Sequence, residues 1–140
     1  MFETLQLNFL SILVAAILGM IIGALWYSPF LFGKMWMRLM KISPKDIRAA
    51  KNKEMTSAYI VSFASLFASA FILAVILSLV NITAMLNGIL LAMILWLGFM
   101  VPLLINTVLW ENKPWKLFLL NASHHFTVLI VMSIVLTLWQ

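Results

Sequence analysis

The chain has 140 residues, of which 65% are apolar and only 9% charged, with a formal net charge of +5 and no cysteine. A mean hydropathy of +1.13, with far fewer charges than the quarter or so found in soluble domains, excludes a water-soluble globule, whose surface this composition could not cover. The missing thiols exclude disulfides, thiol redox relays, iron–sulfur clusters and cysteine nucleophiles.

With lipid as the solvent, every backbone polar group has to be satisfied inside a helix or a closed barrel. The apolar runs are longer than the ~20 residues a membrane-spanning helix needs, and period-two alternation is absent. The expectation is therefore all-α: a four-transmembrane-helix bundle forming a single membrane domain over 1–140, with a short amphipathic interfacial helix between helices one and two.

Helix one is expected over about 8–27. The residues before it carry one acid, Glu3, and no base, and no clean small-residue cleavage site follows, so the first run is expected to remain as a helix rather than be removed as a signal peptide. Ser11, Ala15, Gly19 and Gly23 recur at intervals of four along it. Such a stripe lets two helix backbones approach closely, and Ala15, Gly19 and Gly23 are the predicted packing face. Its partner is either a matching small-residue set on helix two, Ala58, Ser62, Ser65 and Ser69, or a second copy of the chain in a homo-oligomer.

The segment 28–55 is a basic loop with internal order. Ser28-Pro29 closes helix one, because proline disfavours helical geometry at the residue before it, and Gly33 allows a further turn. From Phe32 to Lys41, helical spacing puts Lys34, Arg38 and Lys41 on one face and Phe32, Trp36, Leu39 and Met40 on another. That pattern predicts a helix lying in the membrane interface with its cations toward anionic lipid headgroups; the plainer alternative is a solvated loop that only sets topology. Ser43, Pro44 and Asp46 have the order of an N-cap, first and third position of a new helix.

Helix two is expected over about 56–80, helix three over about 84–110 and helix four over about 115–139. All nine Lys and Arg residues lie in the first and third connections: Lys34, Arg38, Lys41, Lys45, Arg48, Lys51 and Lys53 in one, Lys113 and Lys116 in the other. Cationic loops stay in the cytoplasm, which predicts a multi-pass protein of the cell membrane with both termini outside. Trp26, Tyr27, Trp36, Tyr59, Trp110 and Trp115 fall on the same side, as an interfacial aromatic belt would.

The polar groups at membrane depth are few. In an antiparallel hairpin of helices three and four, Asn106 and Asn121 come to similar depth, and a hydrogen bond between their amides is expected. His124 and His125 follow near the middle of helix four, and Pro102 on helix three frees the carbonyl of Gly98, which a histidine N–H could satisfy. The functional alternative makes Asn106, Asn121, His124 and His125 the lining of a polar path for a proton or substrate. Adjacent histidines point about 100° apart on a helix, so they do not make a joint metal site. The only acids, Glu3, Asp46, Glu54 and Glu111, lie at or beyond the interfaces, and Ser123-His124 are neighbours in sequence rather than a nucleophile and base with an orienting group. No catalytic residue, metal, cofactor or nucleic-acid partner is expected.

The string LWYSPFLFGKMWMRLM, with GMIIGA before it, resembles the domain of unknown function 1761 family (DUF1761) of small membrane proteins. The resemblance rests on Trp26–Pro29, Phe32–Lys34 and Trp36, and continues in LGFMVPLLIN at Leu97–Asn106 and LFLLNASHH at Leu117–His125. Ser123-His124 stands where the family is expected to carry Gly-Tyr. Membership implies the four-helix membrane fold and no particular activity. A fainter echo joins Leu25-Trp26 with Pro29 to Leu109-Trp110 with Pro114, as two parallel helix pairs or chance interfacial chemistry would produce. The expectation is a small non-enzymatic structural or binding membrane protein that oligomerises and contacts anionic lipids, with a transporter or channel subunit that has a polar path at the hairpin of helices three and four as the alternative.

Overall fold

A computed structural model describes residues 2–49 and 52–140. The side chains of Lys51 and Lys53, counted above among the first loop's cations, fall outside that description. Among the described residues seven α-helices follow in order: α1 (Phe9–Trp26), α2 (Gly33–Met40), α3 (Pro44–Ala49), α4 (Asn52–Leu79), α5 (Met85–Leu95), α6 (Val101–Leu109) and α7 (Trp115–Leu138), with a π-helical turn at Trp96–Met100 joining α5 to α6. Four spans are long and apolar enough to cross a membrane: Phe9–Trp26, Glu54–Leu79, Met85–Leu109 and Trp115–Leu138. The protein is an all-helical, multi-pass membrane protein.

α7 is the hub. It packs along α1 on one side and α5 and α6 on the other, and touches α2 and α4; α4 packs on α1. The core between them contains Ile12, Ala15, Ala70, Leu73, Leu77, Ala92, Val128, Met132 and Leu136. In lipid no hydrophobic drive favours these contacts, so helix association depends on close van der Waals fit. Two glycines give that fit. A Cβ at Gly19 would stand 3.0 Å from Met132 Cε and 3.1 Å from a methyl of Leu66, and one at Gly88 would stand 2.5 Å from Thr137 Cγ2.

The packing partner of the α1 stripe differs from the expected one. Ala15 and Gly19 are buried, but Ala58, Ser62, Ser65 and Ser69 on α4 are exposed. A ridge of larger residues, including Leu66, Phe67, Leu73 and Leu77, faces the core instead. Ser65 donates to the carbonyl of Val61 and Ser69 to that of Ser65, so these hydroxyls are satisfied by their own helix and need no neighbour. Bulk on α4 against a groove on α1 fills space better than two small-residue stripes would.

The third span is also not one regular helix. Before Pro102, which has no N–H to give, the backbone widens and the N–H of Val101 reaches the carbonyl of Trp96. Among the described residues, His124 makes no hydrogen bond to the Gly98 carbonyl, since both of its ring nitrogens are without a partner.

The connection after α1 is a tight turn. Ser28 Oγ donates to the Leu25 carbonyl at 2.6 Å, the N–H of Phe32 to the Trp26 carbonyl at 2.9 Å, and the N–H of Gly33 to the Ser28 carbonyl at 2.9 Å. A Cβ at Gly33 would stand 2.5 Å from the Tyr27 carbonyl oxygen, so only glycine fits where the chain doubles back. α2 then leaves Lys34, Arg38 and Lys41 exposed, while Phe32, Trp36, Leu39 and Met40 are half-buried. Lys41 itself ends the helix in the left-handed region (φ 59°), with the N–H of Ile42 returning to the Met37 carbonyl. At α3 the Ser43 N–H donates to Asp46 Oδ2 and Ser43 Oγ accepts from the Asp46 N–H. These bonds hold the Asp46 carboxyl below its ordinary pKa, the backbone donor contributing most.

Candidate functional site

The geometry of the site starts from α1. The small-residue stripe Ala15, Gly19, Gly23 extends by one more interval of four to Tyr27, which therefore lies on the face turned toward α7. There the Tyr27 hydroxyl donates to Asn121 Oδ1 at 2.7 Å. One residue earlier, the Trp26 indole N–H donates to the Leu120 carbonyl at 3.2 Å. From the other side of α7, Trp96 on the π-helical turn donates to the Ala122 carbonyl at 2.8 Å. Two tryptophans thus clamp the α7 backbone on either side of Asn121.

His124 is seated one turn further along. Its ring lies 5.1 Å from that of Tyr27, edge to face, 6.0 Å from Trp26 and 5.0 Å from His125. Gly23 leaves room for it, since a Cβ there would be 3.4 Å from His124 Nε2. Trp36, swung round by the turn at Gly33, packs against Tyr27 at 5.7 Å, and Phe32 against Trp26 at 5.0 Å. Both ring nitrogens of His124 are buried without a hydrogen-bond partner. An unpaired polar group in such a place costs about 1–3 kcal/mol, so it calls for an occupant or a reason.

Between α1, α4 and α7 runs a cleft of about 610 Å³ that reaches His124 and His125. Gly19 and Gly23 form one wall, Ser62, Ser65 and Tyr59 another, and Tyr27 stands at its α2 end. No Asp, Glu, Lys or Arg is among the described residues that line it. A mostly apolar recess with a few convergent hydrogen-bonding groups is the usual form of a small-molecule site. Among the described residues no group of three or more His, Cys, Asp or Glu could hold a metal ion.

The residues expected at membrane depth are divided by the fold. Asn121, His124 and His125 come together with Tyr27. Asn106 does not join them: it is exposed on α6, away from the cleft lining, and the amide it was expected to bond takes the tyrosine hydroxyl instead. The physical reason is the π-helical turn, which rephases α6 relative to α5 and spoils the depth and face argument for Asn106. The aromatic belt also splits. Tyr59, Trp110 and Trp115 are exposed as belt residues should be, whereas Trp26, Tyr27 and Trp36 are half-buried and turned toward α7. Tyr27 was the missed residue, and its place on the interval-of-four stripe was the signal that could have found it.

A family model described as a protein of unknown function (DUF1761) matches residues 10–137, nearly the whole chain. The chain belongs to the DUF1761 family. No curated protein and no solved structure matches it. Among the residues that carry its resemblance to DUF1761, Trp26, Tyr27, Phe32 and Trp36 of the first motif pack on one another, and Tyr27 reaches Asn121, 94 positions away. They form the turn, the aromatic seat and the α7 contacts around one end of the cleft. In this DUF1761 chain the seat between Trp26 and Tyr27 holds His124, at the place where an aromatic was expected.

Proposed function

We propose that this protein is a non-enzymatic membrane protein that binds a small neutral molecule in the cleft between α1, α4 and α7. The ligand has an apolar body and a hydrogen-bonding group that meets His124 when its ring, whose nitrogens are closed off in this arrangement, turns into the cleft. The observation carrying this reading is the pair of buried, unpartnered nitrogens of His124 at the wall of a 610 Å³ recess. The absence of charge among the described lining residues favours a neutral ligand, since a buried ion would need a countercharge. The protein lies in the cell membrane with both termini outside, an orientation supported by the confinement of its cations to alternate loops. Lys34, Arg38 and Lys41 contact anionic headgroups, supported by their exposure on a helix whose aromatic face packs inward. Ala58 and Ser69, exposed small residues of α4 outside the cleft lining, are open to a second copy of the chain.

The test is native mass spectrometry of the protein extracted directly from membranes, run beside His124→Leu. Wild type should carry a small-molecule adduct that the variant lacks. The empty variant should also be more stable than empty wild type by about 1–3 kcal/mol, because an unsatisfied polar ring has become apolar. A purely structural histidine gives the reverse: no adduct in either protein and a loss of stability on substitution.

A further inference from the structure

A second cavity, of about 330 Å³, opens at the end of the bundle away from the basic loops. Three segments build it, 4–11, 74–83 and 136–140, and none of them contains an Asp, Glu, Lys or Arg. They are rich instead in uncharged hydrogen-bonding groups. Both glutamines of the chain, Gln6 and Gln140, line the cavity together with Asn8, Ser78 and Asn81, and Trp139 stands beside them. The segments are tied to one another across the fold. The N–H of Gln6 donates to Ser78 Oγ at 3.3 Å and Gln140 Nε2 donates to the Ile82 carbonyl at 2.8 Å, over sequence separations of 72 and 58 residues. Asn81 is placed by its own backbone: it follows α4 in the left-handed region (φ 58°), with the N–H of Ile82 returning to the Leu77 carbonyl at 2.9 Å.

Much of the hydrogen-bonding capacity around this cavity is left over. Asn8 Oδ1 caps α1 by accepting from the N–H groups of Leu10 and Ser11, which leaves the NH2 of its amide uncommitted. Gln140 keeps its amide oxygen, Ser78 accepts and keeps its O–H, and the Asn81 amide has no partner among the described residues. A side-chain amide carries donor and acceptor in one plane, so it matches a pair of neighbouring hydroxyls, each of which both gives and takes a hydrogen bond. An indole adds a flat apolar surface on which the C–H face of a sugar ring can lie. With no charge on any of the three segments, an ionic ligand would lack a countercharge.

We propose that this cavity is a binding site for a neutral hexose, taken free from solution or as the headgroup of a glycolipid. The amides of Asn8, Asn81 and Gln140 meet neighbouring hydroxyls of the sugar, and Trp139 covers one face of its ring. The site is separate from the cleft at His124 and does not depend on what that cleft holds.

The full chain in phosphatidylcholine nanodiscs, purified without sugar-headed detergents, tests this by saturation-transfer NMR with methyl β-glucoside. Wild type should give a saturable signal that the charged methyl glucuronide does not displace. Asn81→Gly keeps the left-handed turn, which glycine adopts freely, and removes only the amide. It should weaken binding about tenfold, the size of one lost net hydrogen bond. Trp139→Leu should weaken it by a similar factor, while Gly98→Ala, a position with nothing within 4 Å, should leave it unchanged. The second arm adds monoglucosyl diacylglycerol to the nanodiscs and reads its retention by native mass spectrometry. Retention of that lipid by wild type and not by Asn81→Gly, with no signal from the free glucoside, shows that the hexose arrives as a headgroup. Binding of neither probe overturns the site, and so does binding that is equal in wild type, Asn81→Gly and Trp139→Leu.

Discussion

The hydroxyl of Tyr27 and the amide oxygen of Asn121 meet at 2.7 Å, linking the last turn of α1 to the first half of α7 across 94 positions of sequence. This bond fixes the rotation of both helices about their axes at the level of the cleft. With Tyr27 so held, its ring makes edge-to-face contacts with both His124 and Trp36. Tyr27→Phe keeps the ring and removes the donor. It should lower stability by about 0.5–1.7 kcal/mol, the range of interhelical hydrogen bonds in membranes. Tyr27→Phe combined with Asn121→Leu should cost less than the sum of the two single changes, because no unpaired amide remains. Reversible unfolding in mixed micelles measures both, and strict additivity would show that the bond contributes nothing.

Much of the fold was legible because it depends on features that read directly from sequence. Run length and the placement of Lys and Arg specify four spans whatever the packing, and the Ser43-Asp46 pair caps α3 through purely local bonds. The site was less legible because it depends on helix phase. Equal depth for Asn106 and Asn121 in the hairpin assumes 3.6 residues per turn throughout. The π-helical turn at Trp96–Met100 breaks that assumption. The small residues of α4 misled for another reason: a serine that bonds to its own helix carries no information about which face is buried.

Two glycines, Gly33 and Gly98, give a sharper contrast in what surrounds them. Gly33→Ala would push a methyl to 2.5 Å from a backbone oxygen that cannot move without undoing the turn. Gly98→Ala, with nothing within 4 Å, should be neutral or stabilising by up to about 1 kcal/mol from helix propensity. The expected result in an unfolding series is that Gly33→Ala is strongly destabilised and displaces Trp36 from Tyr27, seen as a change in tryptophan emission, while Gly98→Ala leaves the spectrum unchanged. Similar stabilities for the two would refute the tight-turn account.

The crossing of α5 and α7 at Gly88 makes a separate prediction. Gly88→Ala places its Cβ 2.5 Å from Thr137 Cγ2 and 2.9 Å from Ser133 Oγ, both on a face of α7 that is fully packed. The helices must part, at a cost typical of overpacking, about 1–3 kcal/mol. Thr137→Ser removes the nearer methyl and should recover part of that loss in the double variant. Thr137→Ser alone should cost less than 1 kcal/mol, because its hydroxyl keeps the carbonyl of Ser133 as acceptor. A double variant no more stable than Gly88→Ala alone would place the strain elsewhere.

The tryptophan clamp on α7 is testable through its two sides. Trp26 and Trp96 give their indole N–H groups to carbonyls that already belong to the α7 helix, Leu120 and Ala122, so neither bond is needed to satisfy that backbone. Their contribution is positional: they hold the stretch that presents Asn121 and His124. Trp96→Phe keeps the edge-to-face contact with Phe126 and loses only the donor. It should lower stability by about 1 kcal/mol or less. Trp26→Phe removes the matching donor beside the histidine ring, and it should both destabilise by a similar amount and weaken retention of the cleft ligand, because His124 loses the wall that the indole provides. Ligand retention unchanged in Trp26→Phe but reduced in Trp96→Phe would put the binding wall on the α5/α6 side of α7, against the arrangement of the cleft.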